Sequence, residues 1–166
     1  MFSIGDRVVH PMHGAGIIEA IVREKINGCC REYYVFRMPF GGLILKIPVA
    51  NCAATGLRAI AKPEEVDLLL EKIPLLDTEM TANWNQRYRE NLARVKSGDL
   101  YQVARVIKGL MRRDSLRGLS TGERKMLHSA KQIFISEIVL TKSEVYDEVE
   151  RRVNEAMLAK TEKECI

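Results

Sequence analysis

Residues 16–37 read GIIEAIVREKINGCCREYYVFR, and this stretch decides how the first part of the chain folds. Two runs rich in β-branched and aromatic residues, 16–22 and 32–37, stand on either side of Asn27-Gly28. That dipeptide is a strong signal for a type I′ turn, because both of its residues must take positive φ. The sequence therefore predicts two antiparallel strands joined by a hairpin turn at Asn27-Gly28.

Further short β-rich runs lie outside the hairpin, at 7–10 and 42–48, and Gly, Pro and Asn separate them. Short strands this closely spaced favour a small Tudor-like or SH3-like β-barrel over residues 1–59. A sheet of this size buries little apolar surface by itself, so we expect it to lean on a neighbouring element or on a partner.

From about residue 60 onward the apolar residues recur at helical spacing. Pro63 predicts the first turn of one helix, and Pro74 its end. A second helix runs to Ser97-Gly98, and a third extends from its cap Asp99 to Gly118.

Two patterns of the type S/T-x-x-E, at 120–123 and 141–144, predict the starts of a fourth and a fifth helix. The interpretation is an α+β protein in which a small Tudor/SH3-like β-barrel, residues 1–59, precedes an all-helical bundle, residues 60–166.

The net charge of +4 is unevenly distributed. Residues 77–131 hold twelve Lys and Arg against six Asp and Glu, a net of +6, whereas residues 132–166 hold five against eight, a net of −3. Such a split favours a surface that faces a polyanion in the middle of the chain. Solvated helix faces are the alternative, and they explain the asymmetry less well.

The longest apolar runs are too short to cross a bilayer, because Lys46 and Glu137 interrupt them. The first residues lack the pattern of a secretory signal, so we expect a cytoplasmic protein. Its four cysteines are Cys29, Cys30, Cys52 and Cys165. They form no C-x-x-C pair, and adjacent cysteines on a strand point to opposite faces, so we expect reduced thiols and no metal site.

The sequence contains no phosphate-binding loop of the Walker type and no H-E-x-x-H. Gly14 and Gly16 precede a strand, whereas a nucleotide-binding turn precedes a helix. We therefore expect a protein that is not an enzyme and needs no cofactor.

The stretch 81–91, TANWNQRYREN, holds the only Trp of the chain in the first turn of a predicted helix. Trp84 precedes Arg87 and Arg89 by three and five residues, and an aromatic ring beside cations suits nucleic acid. Periodicity alone favours the other interpretation, in which Trp84 extends the core stripe of Tyr88.

A second basic pair, Arg124 and Lys125, follows Gly122 near the start of the fourth helix. Backbone N–H groups at a helix start together with two cations would suit a phosphate.

These stretches resemble the CarD/CdnL family along nearly the whole chain. The run 4–16, IGDRVVHPMHGAG, is similar to the opening of that family, which the polymerase-interacting domain of transcription–repair coupling factor shares. The helical half matches in order through Asn83-Trp84, Arg87-Tyr88, Asn91-Leu92, Ser97-Gly98-Asp99, Arg112-Arg113-Asp114, 117–120, Gly122-Glu123 and Met126-Leu127.

The resemblance implies a Tudor-like domain that binds the β subunit of RNA polymerase and a helical domain that contacts promoter DNA. Trp84 would wedge into the minor groove at the upstream edge of the transcription bubble. The basic positions around the wedge match Arg87, Arg89, Arg124 and Lys125, and the polymerase-binding positions match Lys46 and Arg23. The chain departs from the family pattern at Gln86, where members often carry a cation, and at Glu24, where a basic polymerase contact is sometimes found.

We expect a bacterial, nucleoid-associated monomer without a membrane partner. Two alternatives belong to other classes: a sequence-specific repressor, and a protein-interaction adaptor that does not touch DNA. The sequence argues against a repressor, because it shows neither the tight turn nor the polar recognition helix of a helix-turn-helix protein.

Overall fold

The chain is an α+β protein in which a five-stranded antiparallel sheet precedes a set of helices. The computed structural model describes residues 1–159, so Cys165 lies outside the described residues. The strands lie in the order β4-β3-β2-β1-β5. Their bounds are β1 Arg7–His10, β2 Gly14–Ile26, β3 Cys29–Arg37, β4 Ile44–Pro48 and β5 Arg58–Ala59. Closure of this sheet into a barrel stays a prediction.

The predicted hairpin turn is confirmed, since Asn27 and Gly28 have φ values of 51° and 81°. The strands β2 and β3 stay paired up to the turn, from Ile17↔Arg37 to Ile26↔Cys29. The β2–β3 hairpin is therefore longer than the two apolar runs alone indicate, because charged residues extend both strands as far as the turn.

Six helices follow from residue 52 onward within the described residues. They are α1 Cys52–Thr55, α2 Pro63–Lys72, α3 Trp84–Lys96, α4 Leu100–Arg117, α5 Thr121–Lys142 and α6 Tyr146–Leu158. The predicted starts at Pro63, Asp99 and Ser120 are confirmed. Within residues 1–159 no helix has the length and apolar character that crossing a membrane requires.

The capping box predicted over residues 141–144 is wrong. Helix α5 continues through Thr141 to its last residue, Lys142, and its C-cap Ser143 has a φ of 54°. Helix α6 begins at Tyr146, after its cap Val145. The helix continues because its core face stays buried through Ile138 and Val139.

The sheet packs against α5, which confirms that it leans on a neighbouring element. Gly14 lies so close that an added Cβ would be 3.2 Å from the Cα of Ile133 and 2.5 Å from Oγ of Ser136. The backbone N–H of Ala15 donates a hydrogen bond of 3.0 Å to the Ser136 hydroxyl. Two apolar clusters, one within the sheet and one among the helices, are thus joined along one helix.

An ion pair between a partly exposed Arg58 and a buried Glu137 ties β5 to α5 at the same junction. The Glu137 side chain is fully buried and accepts hydrogen bonds of 2.7 and 2.8 Å from the guanidinium of Arg58. It also accepts one of 2.9 Å from the backbone N–H of Ala61. Arg58 in turn donates to the carbonyl of Gly98, at 2.6 Å. We call this group the Arg58–Glu137 clamp.

Candidate nucleic-acid interface

Two helix N-termini meet at the predicted DNA-binding surface. Helix α3 begins at Trp84 after its cap Asn83, whose side chain accepts a hydrogen bond of 3.0 Å from the backbone N–H of Gln86. Helix α5 begins after its cap Ser120. The indole Nε1–H of Trp84 donates to the Ser120 hydroxyl at 3.0 Å, so the first turns of both helices lie together. Both ends carry partial positive charge.

The Trp84 side chain belongs to the surface, since its exposed fraction is 43%. Its ring stacks on Tyr88 with centroids 5.2 Å apart and an angle of 21° between the planes. Both rings lie over Gly122, where an added Cβ would be 3.4 Å from Tyr88 and 3.6 Å from Trp84. The interpretation of Trp84 as a core residue is therefore wrong, although Tyr88 beneath it packs against the helical core.

Arg87 lies inside the helical domain, although the resemblance places it among the DNA contacts. Only 2% of this residue is exposed, and its Nε–H donates to the Glu123 carboxylate at 2.8 Å. Its Nη1 donates to the carbonyls of Thr81 and Ala82, at 3.1 and 2.9 Å. A guanidinium enclosed in this way presents no face to a phosphate.

The charge of Arg87 is matched by an ionised Glu123. Burial alone would raise the pKa of the Glu123 carboxyl. Hydrogen bonds from Arg87 and Ser120, together with the positive charge of Arg87, outweigh burial and hold that pKa below its ordinary value. The pair is therefore charged on both sides at neutral pH and is neutral as a unit.

The other predicted DNA-binding cations, Arg89, Arg124 and Lys125, are exposed. Arg124 donates through Nε to the carbonyl of Leu119 at 3.3 Å, which holds it beside the cap of α5. We call Trp84 and these three cations the wedge surface.

An acidic side chain borders the wedge surface. Glu90 accepts hydrogen bonds of 2.9 Å from the Thr81 hydroxyl and from the Gln86 amide. Both hydrogen bonds lower the pKa of the Glu90 carboxyl, and the one from Thr81 has the larger effect. Gln86, where the resemblance implies a cation, is thus engaged with Glu90.

The predicted polymerase-binding cations lie on strands β2 and β4 of the sheet, and each is paired. Arg23 contacts Glu32 across the hairpin at 2.8 Å, and Lys46 on β4 contacts Glu24 on β2. All four side chains are more than a third exposed, and exposed pairs of this kind stabilise a fold by about 0–1 kcal/mol. The departure at Glu24 therefore has a local role as the partner of Lys46.

The sequence reasoning missed that the Trp84 ring is hydrogen-bonded to Ser120, which is itself hydrogen-bonded to Glu123. The S-x-x-E pattern identified them as a capping box only, while the contact with Trp84 joins residues 36 positions apart. Gly122 between them was the available signal, because a residue without a side chain leaves room for two rings. No group of three His, Cys, Asp or Glu within residues 1–159 could hold a metal ion.

Comparison with known proteins covers nearly the whole chain. The family model described as "CarD-like/TRCF RID domain" matches residues 2–61, and the model described as "CarD, C-terminal domain" matches residues 69–154. A relative from Bacillus subtilis (strain 168), "Putative transcription factor YdeB", is 33% identical over 142 residues, which cover 86% of this chain and 93% of that protein. The chain belongs to the CarD family.

Proposed function

We propose that this protein is a transcription regulator that binds the β subunit of RNA polymerase and stabilises the open promoter complex. The match of residues 2–61 to the RID domain supports the polymerase contact. Lys46 and Arg23 are its proposed contacts, and both are on the exposed surface of the sheet. Lys46→Glu should weaken polymerase binding by reversing a charge at the rim of the interface.

One observation carries the DNA half of the proposal: a half-exposed Trp84 is fixed where the starts of α3 and α5 meet, and the same two helices carry exposed cations. A flat ring held in this way can enter the minor groove at the upstream edge of the bubble and stack on a base. Stacking contributes about 1–3 kcal/mol per base. Arg89, Arg124 and Lys125 would neutralise the flanking phosphates.

Stabilisation of the open complex requires tighter binding to the open than to the closed state, because only that difference shifts the equilibrium. At about 1.4 kcal/mol per factor of ten, one stacked ring changes the equilibrium ratio of open to closed complexes by about five- to 150-fold. The ring reads the shape of the fork, so sequence specificity should be weak. The protein would act in the cytoplasm at the nucleoid, as a monomer that carries both surfaces.

The experiment compares the full chain with Trp84→Ala in open-complex lifetime measurements with bacterial RNA polymerase. Trp84→Ala should remove most of the gain in lifetime and still bind polymerase, because that contact lies on the sheet. Leu75→Ala is the control, since Leu75 is an apolar side chain with 78% exposure outside the wedge surface.

Two outcomes would contradict the proposal. A repressor would bind an isolated operator tightly in a gel shift without polymerase. An adaptor would bind polymerase and leave the open-complex lifetime insensitive to Trp84→Ala.

A further inference from the structure

The hydroxyl of Ser120 has all its hydrogen-bonding capacity in use. It accepts from Nε1 of Trp84 at 3.0 Å and from the backbone N–H of Glu123 at 3.2 Å. It also lies 3.2 Å from Oε2 of Glu123. A hydroxyl has one hydrogen and two acceptor sites. Because the indole and amide nitrogens can only donate, the single hydrogen must point to the carboxylate, and this fixes the acceptor site offered to Trp84.

The Glu123 carboxylate that orients this hydroxyl is itself held on both oxygens. Oε2 also accepts from the backbone N–H of Ser120 at 3.2 Å, and Oε1 accepts from Arg87 at 2.8 Å. Arg87 then reaches the carbonyls of Thr81 and Ala82, directly before the cap of α3. A continuous hydrogen-bonded path therefore leads from the segment before α3, through a buried pair, to the exposed indole.

We propose that Ser120, with Glu123 and Arg87 behind it, is a positioning residue that sets the orientation in which the Trp84 ring meets DNA. This inference rests on the proposed wedge function. A side chain already held in its binding orientation loses less conformational freedom on binding. Stabilisation of the open complex should therefore depend on Ser120, although its hydroxyl is fully engaged within the protein.

A double-mutant cycle in the full chain separates positioning from a loss of folding. Ser120→Ala should shorten the open-complex lifetime by about two- to tenfold, the range expected for one side chain that is no longer preorganised. Trp84→Phe keeps a flat ring and removes the N–H that Ser120 accepts. In the Trp84→Phe background, Ser120→Ala should have little further effect. An equal fold-change in both backgrounds would show that Ser120 acts only as a helix cap, and would overturn the inference.

Fluorescence of the only Trp in the chain gives a second readout that needs no DNA. Ser120→Ala should lower the anisotropy of the Trp84 emission, because the ring loses its anchor, and Ser120→Thr should restore it by returning a hydroxyl. Asp99→Ala is the matched control: Asp99 caps α4 by accepting from Tyr101 at 2.9 Å. It should leave the anisotropy unchanged.

The two readouts distinguish the inference from the function on which it rests. Unchanged anisotropy in Ser120→Ala overturns the positioning role, even where Trp84→Ala abolishes open-complex stabilisation. An open complex insensitive to Trp84→Ala overturns the wedge function, whatever the anisotropy shows.

Discussion

At the level of single residues, a cation near Trp84 can act on DNA only where no buried carboxylate already neutralises it. Arg87 is enclosed with Glu123, so its positive charge is cancelled inside the domain. Arg124 and Lys125, one and two residues after Glu123, are exposed. Neighbouring positions of one helix thus divide between a buried ion pair and exposed cations.

Replacing Arg124 and Lys125 with Ala should flatten the salt dependence of DNA binding. Each lost phosphate contact should reduce the slope of log K against log salt by about one. Replacing Arg151 and Arg152 on α6 removes the same charge and should leave the slope unchanged. A salt titration on forked promoter DNA measures both variants, and an unaltered slope for the first would show that these residues face solvent.

Acid should weaken the fold through Glu123. Its pKa in the folded chain lies below the ordinary value of 4.5, so the unfolded chain takes up the proton first as the pH falls. The stabilising contribution is therefore complete above about pH 4.5 and is lost as the pH falls through the lowered, folded-state pKa.

Urea unfolding between about pH 3 and pH 6 should show this loss as a falling free energy of unfolding. Glu123→Gln should lower stability at neutral pH and flatten the acid dependence, because the amide cannot titrate. A slope that Glu123→Gln leaves unchanged would assign the acid sensitivity to other carboxylates.

At the level of elements, α5 is the surface on which the sheet rests, and Gly14 is where the two come closest. Gly14→Ala should destabilise the chain by about 2–5 kcal/mol. It combines the cost of positive φ, about 1–2 kcal/mol for a residue with a side chain, with overpacking of about 1–3 kcal/mol against the backbone of Ile133.

Gly41→Ala is the matched control, because Gly41 also has positive φ, and an added Cβ would meet nothing within 4 Å. It should cost only the backbone part. Chemical denaturation of both variants measures the difference in their free energies of unfolding. Equal losses of stability would show that the sheet and α5 can shift to accommodate the added Cβ.

Local signals predicted those parts of the fold that local chemistry decides. Asn27-Gly28 marks a turn that needs two positive φ values, and Asp99 and Ser120 cap helices through bonds to residues two or three positions away. The end of α5 was misplaced because its buried face outweighs the capping pattern at Thr141. The enclosure of Arg87 could not be predicted, since its partner Glu123 lies 36 positions further along the chain.

At the level of the whole molecule, the Arg58–Glu137 clamp should make sheet and helices unfold together. In the intact chain, the unfolding transition monitored by Trp84 fluorescence, which reports on the helical half, should coincide with the transition monitored by circular dichroism. Glu137→Ala leaves Arg58 without its buried partner, which should cost about 3–5 kcal/mol and separate the two transitions.

Glu155→Ala provides the control, because it breaks the exposed pair with Arg151 on α6. It should cost no more than about 1 kcal/mol and leave the transitions coincident. Coincident transitions in Glu137→Ala would show that the clamp does not couple the halves. The clamp also bears on polymerase binding by an isolated segment of residues 1–59, since that segment would lack Glu137.

The clamp has a further consequence for where on a promoter such a protein could work. With the proposed polymerase contact on the sheet and the tryptophan on the helices, a clamp that resists bending would hold the two at a constant distance. One base pair inserted between the promoter DNA that polymerase holds and the fork turns the groove by about a tenth of a helical turn. A stiff molecule cannot follow that rotation. It would respond to spacing and helical phase, and two promoters with identical bases at the fork would differ in response if their spacing differed.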